Sequence, residues 1–271
     1  MRRRHLFEFE DQSWFPAVLR DAVTDWLCRA LVIGRSVYRP AVPLIARLLR
    51  EQGENRVVDL CSGASGPWRA LQPAVAAEAP FALTLTDKYP NVPAFAAVAD
   101  RLGAGVSFRA DSVDATRVPA ELTGVRTLFT GFHHFRPDQA RQVLRDAFER
   151  RAAIGVFEFT ERRWAPVLAT VVLAPVLVLA WMFRLPPVTW RRLLFTYVVP
   201  VIPFAATWDG IVSNMRTYEP ADLRGMVADL SAPDYSWEVG RVPGTGRAAA
   251  PVVYLLGFSR GDRPEPTGAP S

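Results

Sequence analysis

The stretch VVDLCSGASGPW, residues 57–68, holds the first side chains that could handle a ligand. A β-branched run ends in Asp59, and a turn of small residues from Cys61 to Gly66 leads into a helix start. Small residues let a backbone bend tightly and approach a ligand closely. The helix start behind them offers N–H groups that no intrahelical carbonyl accepts. A plain strand-to-helix turn is the alternative reading of this loop. A second cluster, GFHHF at residues 131–135, sets His133 beside His134. An imidazole titrates near neutral pH, so both are general-base candidates. Either one can equally be a histidine that opens a helix or borders a ligand pocket.

No metal centre is expected. The only other histidine is His5, and the two cysteines, Cys28 and Cys61, lack ligand spacing. Two cysteines are also too few for a disulfide framework, which suits a reducing compartment. The start, MRRRHLFEFEDQSW, is basic, but acids follow where a secretory signal needs an apolar run, so no signal is expected. With 50% hydrophobic and 22% charged residues in a 271-residue chain, there is material for a full core, which excludes global disorder.

The elements that must carry these residues follow from periodicity. Residues 1–50 read as helical, with PAVLRDAVTDWLCRALV placing apolar residues at three- and four-residue intervals. A further helix, PLIARLLREQ, stops at Gly53. Then strands alternate with helices. The runs at 56–60, 81–87, 105–113, 125–132 and 152–161 read as five strands, with a helix in PDQARQVLRDAFERR. This alternation implies parallel βαβ units and a sheet covered on both faces. YSWEVGRV and APVVYLLGFSR read as two closing strands of an antiparallel hairpin. Residues 209–223, ending in TYEPADL, restart the fold after an apolar interruption, with Pro220 suited to a first helical position.

In this order the motifs resemble the class I S-adenosylmethionine-dependent methyltransferases. Asp59 matches the acid of the family's first motif and Gly63 its central glycine. Cys61 and Ser65 stand where the flanking glycines are usual. Asp87, closing the second strand in LTLTDKYPN, matches the acid that takes the ribose hydroxyls. DATRVP, residues 114–119, matches the third motif, so the resemblance turns Asp114 toward the adenine amino group, with Asp111 as second choice. FTGFHHF, residues 129–135, resembles the loop after strand four and brings in Thr130. The resemblance covers about residues 40–160 and 209–260. It implies a Rossmann-like, mostly parallel seven-stranded sheet with helices on both faces, and S-adenosyl-L-methionine as cofactor. It places His133 and His134 as catalytic candidates. Trp14, Phe15 and Tyr38 in an N-terminal lid, with Arg216 and Tyr218 after the interruption, become candidates to face the acceptor. The competing dinucleotide reading needs a Gly-x-Gly-x-x-Gly turn, and this loop has only Gly63 and Gly66.

The interruption itself is WAPVLATVVLAPVLVLAWMF, residues 164–183, without one charged side chain. As a helix it reaches roughly 30 Å, the thickness of a bilayer's hydrocarbon core. A second apolar stretch, LLFTYVVPVIPFAATW (193–208), follows a turn, so the pair reads as an inserted hydrophobic helical hairpin. Between Arg162 and Trp208 lie Arg162, Arg163, Arg184, Arg191 and Arg192 and no acid, which equals the chain's whole formal excess of +5. Arginines flanking apolar stretches suit an anionic membrane surface rather than nucleic acid. Pro175, Pro200 and Pro203 interrupt the two stretches, and two full spans would carry the turn's arginines outside. A shallow hairpin keeps them at headgroup level beside Trp164, Trp181, Trp190 and Trp208. Burial in a core or a homodimer is the other cover for so much apolar surface.

The expected organisation is an N-terminal helical lid (1–52), a cofactor-binding α/β core (53–161), a membrane-associating insertion (162–208), the rest of the core (209–260) and a disordered tail (261–271). The expected activity is methyl transfer to a small-molecule or lipid-like acceptor, with the catalytic domain cytoplasmic. A catalytically idle membrane or dimerisation module, or a nicotinamide-dependent reductase, would be the alternatives.

Overall fold

The computed structural model describes residues 1–33, 37–244 and 250–260, without the side chains of 29–33. The expected tail, and most of the Gly-rich link before the last strand, lie outside the described residues. A seven-stranded sheet forms the centre, in the order β3-β2-β1-β4-β5-β7-β6. Its strands are β1 (Arg56–Leu60), β2 (Ala82–Leu85), β3 (Val106–Phe108), β4 (Val125–Phe129), β5 (Ile154–Glu158), β6 (Tyr235–Val242) and β7 (Val252–Ser259). The first five pair in parallel, while β7 runs antiparallel to both β5 and β6. Every residue of β4 and β5 is buried, as expected for parallel strands covered on both faces.

Two apolar layers cover the sheet. One takes α2 (Val42–Gln52), α3 (Trp68–Glu78) and α4 (Val92–Leu102), around Ile45, Trp68, Leu83 and Phe95. The other takes α5 (Pro137–Glu149) and α9 (Pro220–Val227), around Val58, Leu128, Leu144 and Leu223. Strand β1 feeds both layers, Val57 the first and Val58 and Leu60 the second, because successive side chains alternate faces.

A third core lies apart from the sheet. It joins Phe15 to the helix α1 (Ala17–Ile33) and to two long arms, α6 (Trp164–Trp181) and α8 (Val201–Arg216). Leu19 and Val23 meet Val178, Met182, Ile202 and Ala205 there. The inserted hairpin is thus present, and α1 is its support. Helix α6 runs unbroken through Pro175. The second arm breaks instead. A short helix α7 (Trp190–Leu193) passes into a π turn at Leu194–Val198, and α8 leaves it at 73° after Pro200. Proline lacks the N–H that would bridge this break. Pro203 falls in the first turn of α8, where that N–H is not needed. Helix α8 continues past position 208 to Arg216, so the insertion and the returning core share one helix.

Two expectations change. Residues 1–16 are not helical: they form an extended arm along α8. Asp209 accepts the N–H groups of Phe9 at 2.8 Å and Glu10 at 3.2 Å, Trp208 Nε1 donates to Phe7 O at 2.9 Å, and Arg216 Nε to Leu6 O at 2.7 Å. These bonds take the place of an internal helical ladder. Arg192 does not reach a headgroup: it is 5% exposed and ion-paired with Asp25 of α1. Arg184 and Arg191 are exposed, over the rings of Phe183 and Trp190.

Candidate functional site

A cavity of about 480 Å³ opens at the C-terminal edge of β1, β2 and β4, where ligands sit in open α/β sheets. Its floor is the turn after β1. Cys61, Gly63, Ser65 and Gly66 all have positive φ there, between +52° and +89°. Two of them are not glycine, so the loop carries backbone strain that its surroundings must hold. Asp87 does part of that holding. Its Oδ2 accepts the Gly63 N–H and its Oδ1 the Tyr89 N–H, both at 2.8 Å. Asp87 faces the cavity, and each of its oxygens keeps acceptor capacity for a ligand.

Asp59 works underneath the loop. It is 1% exposed and takes the Thr127 hydroxyl at 2.6 Å and the Ser62 hydroxyl at 2.7 Å. Burial pushes its carboxyl up to about 7 despite these bonds. Asp59 therefore fixes the turn and does not line the cavity. Ser65 is likewise buried beneath the loop. Across the cavity, Thr130 stands at φ +52°, and Gly131 passes so close to Cys61 that a Cβ on it would lie 2.9 Å from the Cys61 Cβ.

The roof comes from the N-terminal arm and α1, through Asp11, Gln12, Arg20, Thr24 and Leu27. Its inner end is a buried charge network. His134 Nδ1 lies 2.8 Å from Asp11 Oδ1 and 2.9 Å from Glu8 Oε2. Arg216 Nη1 sits 2.5 Å from Asp11 and 3.3 Å from Glu8. Burial lowers the proton affinity of His134, but Glu8 and Asp11 outweigh it and hold the imidazole well above its usual range. Burial raises Asp11, yet His134 and Arg216 hold it below the usual carboxylate range. Glu8 is held low the same way, against burial, by His134 first. Glu10, half-buried beside Asp209, is pushed well up by burial. His134 thus borders the cavity with its Nδ1 held by two carboxylates. His133 is 1% exposed behind it, with Nδ1 2.9 Å from Glu158 Oε2.

Of the residues singled out in the sequence, Cys61, Gly63, Asp87, Thr130, His134 and Arg216 meet around this cavity. Asp59, Ser65 and His133 support it from behind. Asp114 stays outside, bound by Thr116 and 3.5 Å from Lys88, and Asp111 pairs with Arg109 in solvent. Trp14 is 65% exposed and leans on Phe9 and Phe15. Tyr38 is enclosed, bonded to the Thr130 hydroxyl. Tyr218 is buried, donating to Phe135 O at 2.8 Å under the Arg3 guanidinium. The sequence reading missed Glu8 and Asp11, and it excluded a metal partly because it had no partner for His133 and His134.

No protein-family model matches the chain, and no curated protein matches it either. Solved structures match in shape. An O-methyltransferase family protein from Burkholderia thailandensis is 17% identical, with a TM-score of 0.48 over 89% of this chain and 60% of its own. A structure of PigF with SAH is 15% identical, with a TM-score of 0.48 over 90% of this chain and 62% of its own. A Rhodobacter sphaeroides protein provisionally assigned as a Zn-dependent alcohol dehydrogenase is 13% identical, with a TM-score of 0.50 over 90% and 98%. The chain thus spans about three fifths of the length of the two methyltransferase structures. At such identities the likeness is one of fold. The strand order, with β7 antiparallel between β5 and β6, is the mostly parallel seven-stranded α/β sheet expected from the sequence.

Proposed function

We propose that the chain is an S-adenosylmethionine-dependent methyltransferase that takes an apolar or lipid-like acceptor at an anionic membrane surface, with its catalytic domain on the cytoplasmic side. One observation carries the cofactor reading. Asp87 turns its carboxylate into the cavity beside a strained small-residue loop, with acceptor capacity left for a pair of hydroxyls. A dinucleotide site is disfavoured by the same geometry. The dinucleotide fold runs 3-2-1-4-5-6, and here β7 enters antiparallel between β5 and β6.

When bound, S-adenosylmethionine supplies a methyl group on a sulfonium for in-line displacement. The chain's residues supply position and a closed space. Thr130, Gly131 and Cys61 narrow the cavity over the loop, and the N-terminal arm covers it. Positioning of this kind supplies much of the rate in such displacements. His134, tied at Nδ1 to Asp11 and Glu8, borders the cavity and helps to position what binds there.

The acceptor reading rests on α1. One part of it lines the cavity through Arg20, Thr24 and Leu27, and another joins the hairpin core through Leu19 and Val23. The hairpin's outer face is apolar and open: Trp164 is 64% exposed and Trp190 68%, with Leu168, Val172, Val176 and Phe204 also exposed. Among the described residues one helix, Trp164–Arg184, is long and apolar enough to cross a membrane, with most of it uncovered by protein, and the bent second arm passes the same test only as a pair. Calorimetry with S-adenosylmethionine tests the first half, and flotation with neutral and anionic vesicles tests the second. No cofactor binding by folded protein overturns the methyltransferase reading. A monodisperse homodimer that ignores vesicles assigns the apolar face to a second copy of the chain instead.

A further inference from the structure

We infer that Glu8, His133 and His134 form a site for a divalent cation of the zinc or cobalt type at the inner end of the cavity. This inference is independent of which cofactor the loop after β1 holds. One ligand atom from each of the three side chains lies within 4.8 Å of the others. Two of these side chains are fully enclosed: His133 Nε2 makes no hydrogen bond, and Glu8 Oε2 has ion-pair neighbours, His134 Nδ1 at 2.9 Å and Arg216 Nη1 at 3.3 Å, but no aligned hydrogen bond. Glu8 Oε1 takes the Ser213 hydroxyl at 3.3 Å. A buried polar atom without a partner is costly, and the orphaned His133 Nε2 beside this carboxylate points to a missing third body.

The surroundings match what a metal asks of its ligands. His133 Nδ1 meets Glu158 Oε2 at 2.9 Å, and Glu158 Oε1 takes the N–H groups of Phe132 at 2.8 Å and His133 at 3.2 Å. A carboxylate on one imidazole nitrogen fixes the tautomer and leaves the other nitrogen's lone pair for a cation. Asp11 stands in the same relation to His134, at 2.8 Å. Two imidazoles and one carboxylate select zinc, cobalt or iron over calcium and magnesium, which prefer all-oxygen sets. Charge points the same way. Glu8, Asp11 and Glu158 touch the two imidazoles, and Arg216 is the guanidinium set against them. A divalent cation together with Arg216 balances the three carboxylates. His134 borders the cavity, which gives the ion an entry path and an open coordination position toward whatever binds there.

The test uses the full chain after chelator treatment, with Co²⁺ and Zn²⁺ alone as probes. One equivalent of Co²⁺ is expected to give a visible d–d band that Zn²⁺ abolishes, and Zn²⁺ to raise the melting temperature. Glu8→Gln and His133→Asn are expected to lose the band, and Glu158→Gln to weaken Co²⁺ binding about 10–100-fold by unfixing His133. Should the buried variants fail to fold, His134→Gln, at the cavity wall, is expected to lose the band with its melting temperature no longer responsive to Zn²⁺. Folded wild-type protein with no band, or a band that persists in His134→Gln together with either buried variant, overturns the site.

Discussion

Replacing Asp87 by Asn exchanges one carboxylate oxygen for an NH2 group and tests the cofactor cradle where it faces the cavity. The carboxylate now takes the Gly63 N–H on Oδ2 and the Tyr89 N–H on Oδ1, each at 2.8 Å. An amide keeps one acceptor oxygen. Its nitrogen then faces a backbone N–H, donor against donor, and can accept from neither the loop nor a ligand hydroxyl. One lost hydrogen bond to a charged group is worth about 1.5–3 kcal/mol, so affinity for S-adenosylmethionine should fall about 10–150-fold. Calorimetry reads this directly, and thermal unfolding shows whether the loop has simply collapsed. Asp114→Asn is the matched control, since Asp114 is engaged with Thr116 and Lys88 outside the cavity. Its affinity should stay within about threefold of wild type, under 1 kcal/mol. Equal affinities for wild type and Asp87→Asn refute the reasoning. A larger loss for Asp114→Asn would return the adenine role to Asp114 and refute the placement of the ligand.

Gly131→Ala puts a Cβ 2.9 Å from that of Cys61, so it should destabilise by about 1–3 kcal/mol, and Cys61→Gly added to it should recover most of that loss in denaturant titrations. Asp59 carries its folded-state carboxyl up from 3.8 to about 7. A raised carboxyl stabilises the fold below pH 4 and loses that contribution as pH climbs to 7, so the gap between wild type and Asp59→Asn should shift by about 4 kcal/mol across that window. Arg184→Gln with Arg191→Gln should weaken binding to anionic vesicles by about 1 kcal/mol per side chain and leave melting unchanged. Arg192→Gln should instead lower stability by about 3–5 kcal/mol, because it strands Asp25 in a buried pair.

The sheet was readable because its signals are local. Short β-branched runs bounded by small residues mark β1, β2, β4 and β5, and the closing pair pointed to the reversed β7. The run at 105–113 overreached: β3 ends at Phe108, and the chain then leaves the ladder toward Asp111. Periodicity failed at the N-terminus for a different reason. The arm at residues 1–16 has no helix of its own, and its backbone donors go to Asp209, more than half the chain away. The apolar hairpin was visible as composition. Its 73° break was not, because proline marks where a helix can end without saying at what angle the next begins.

The site divides along the same line. Asp59 and Asp87 both read as acids closing a strand, yet one lies under the loop and the other faces the ligand space. Register decides it. Asp59 is still within β1, paired with Thr127 of β4, so the two side chains share a face of the sheet and bond there. Asp87 lies two residues beyond the end of β2, past the ladder, where its carboxylate is free to turn toward Gly63 and the cavity. His133 and His134 divide likewise: adjacent in sequence on one short turn, they stack at 4.5 Å but take different carboxylates, Glu158 behind and Asp11 in front. Neither partner is near them in the chain. The two imidazoles look like spare bases when only their neighbours in sequence are known. With Glu8, Asp11 and Glu158 around them they form one charged cluster at the inner end of the cavity.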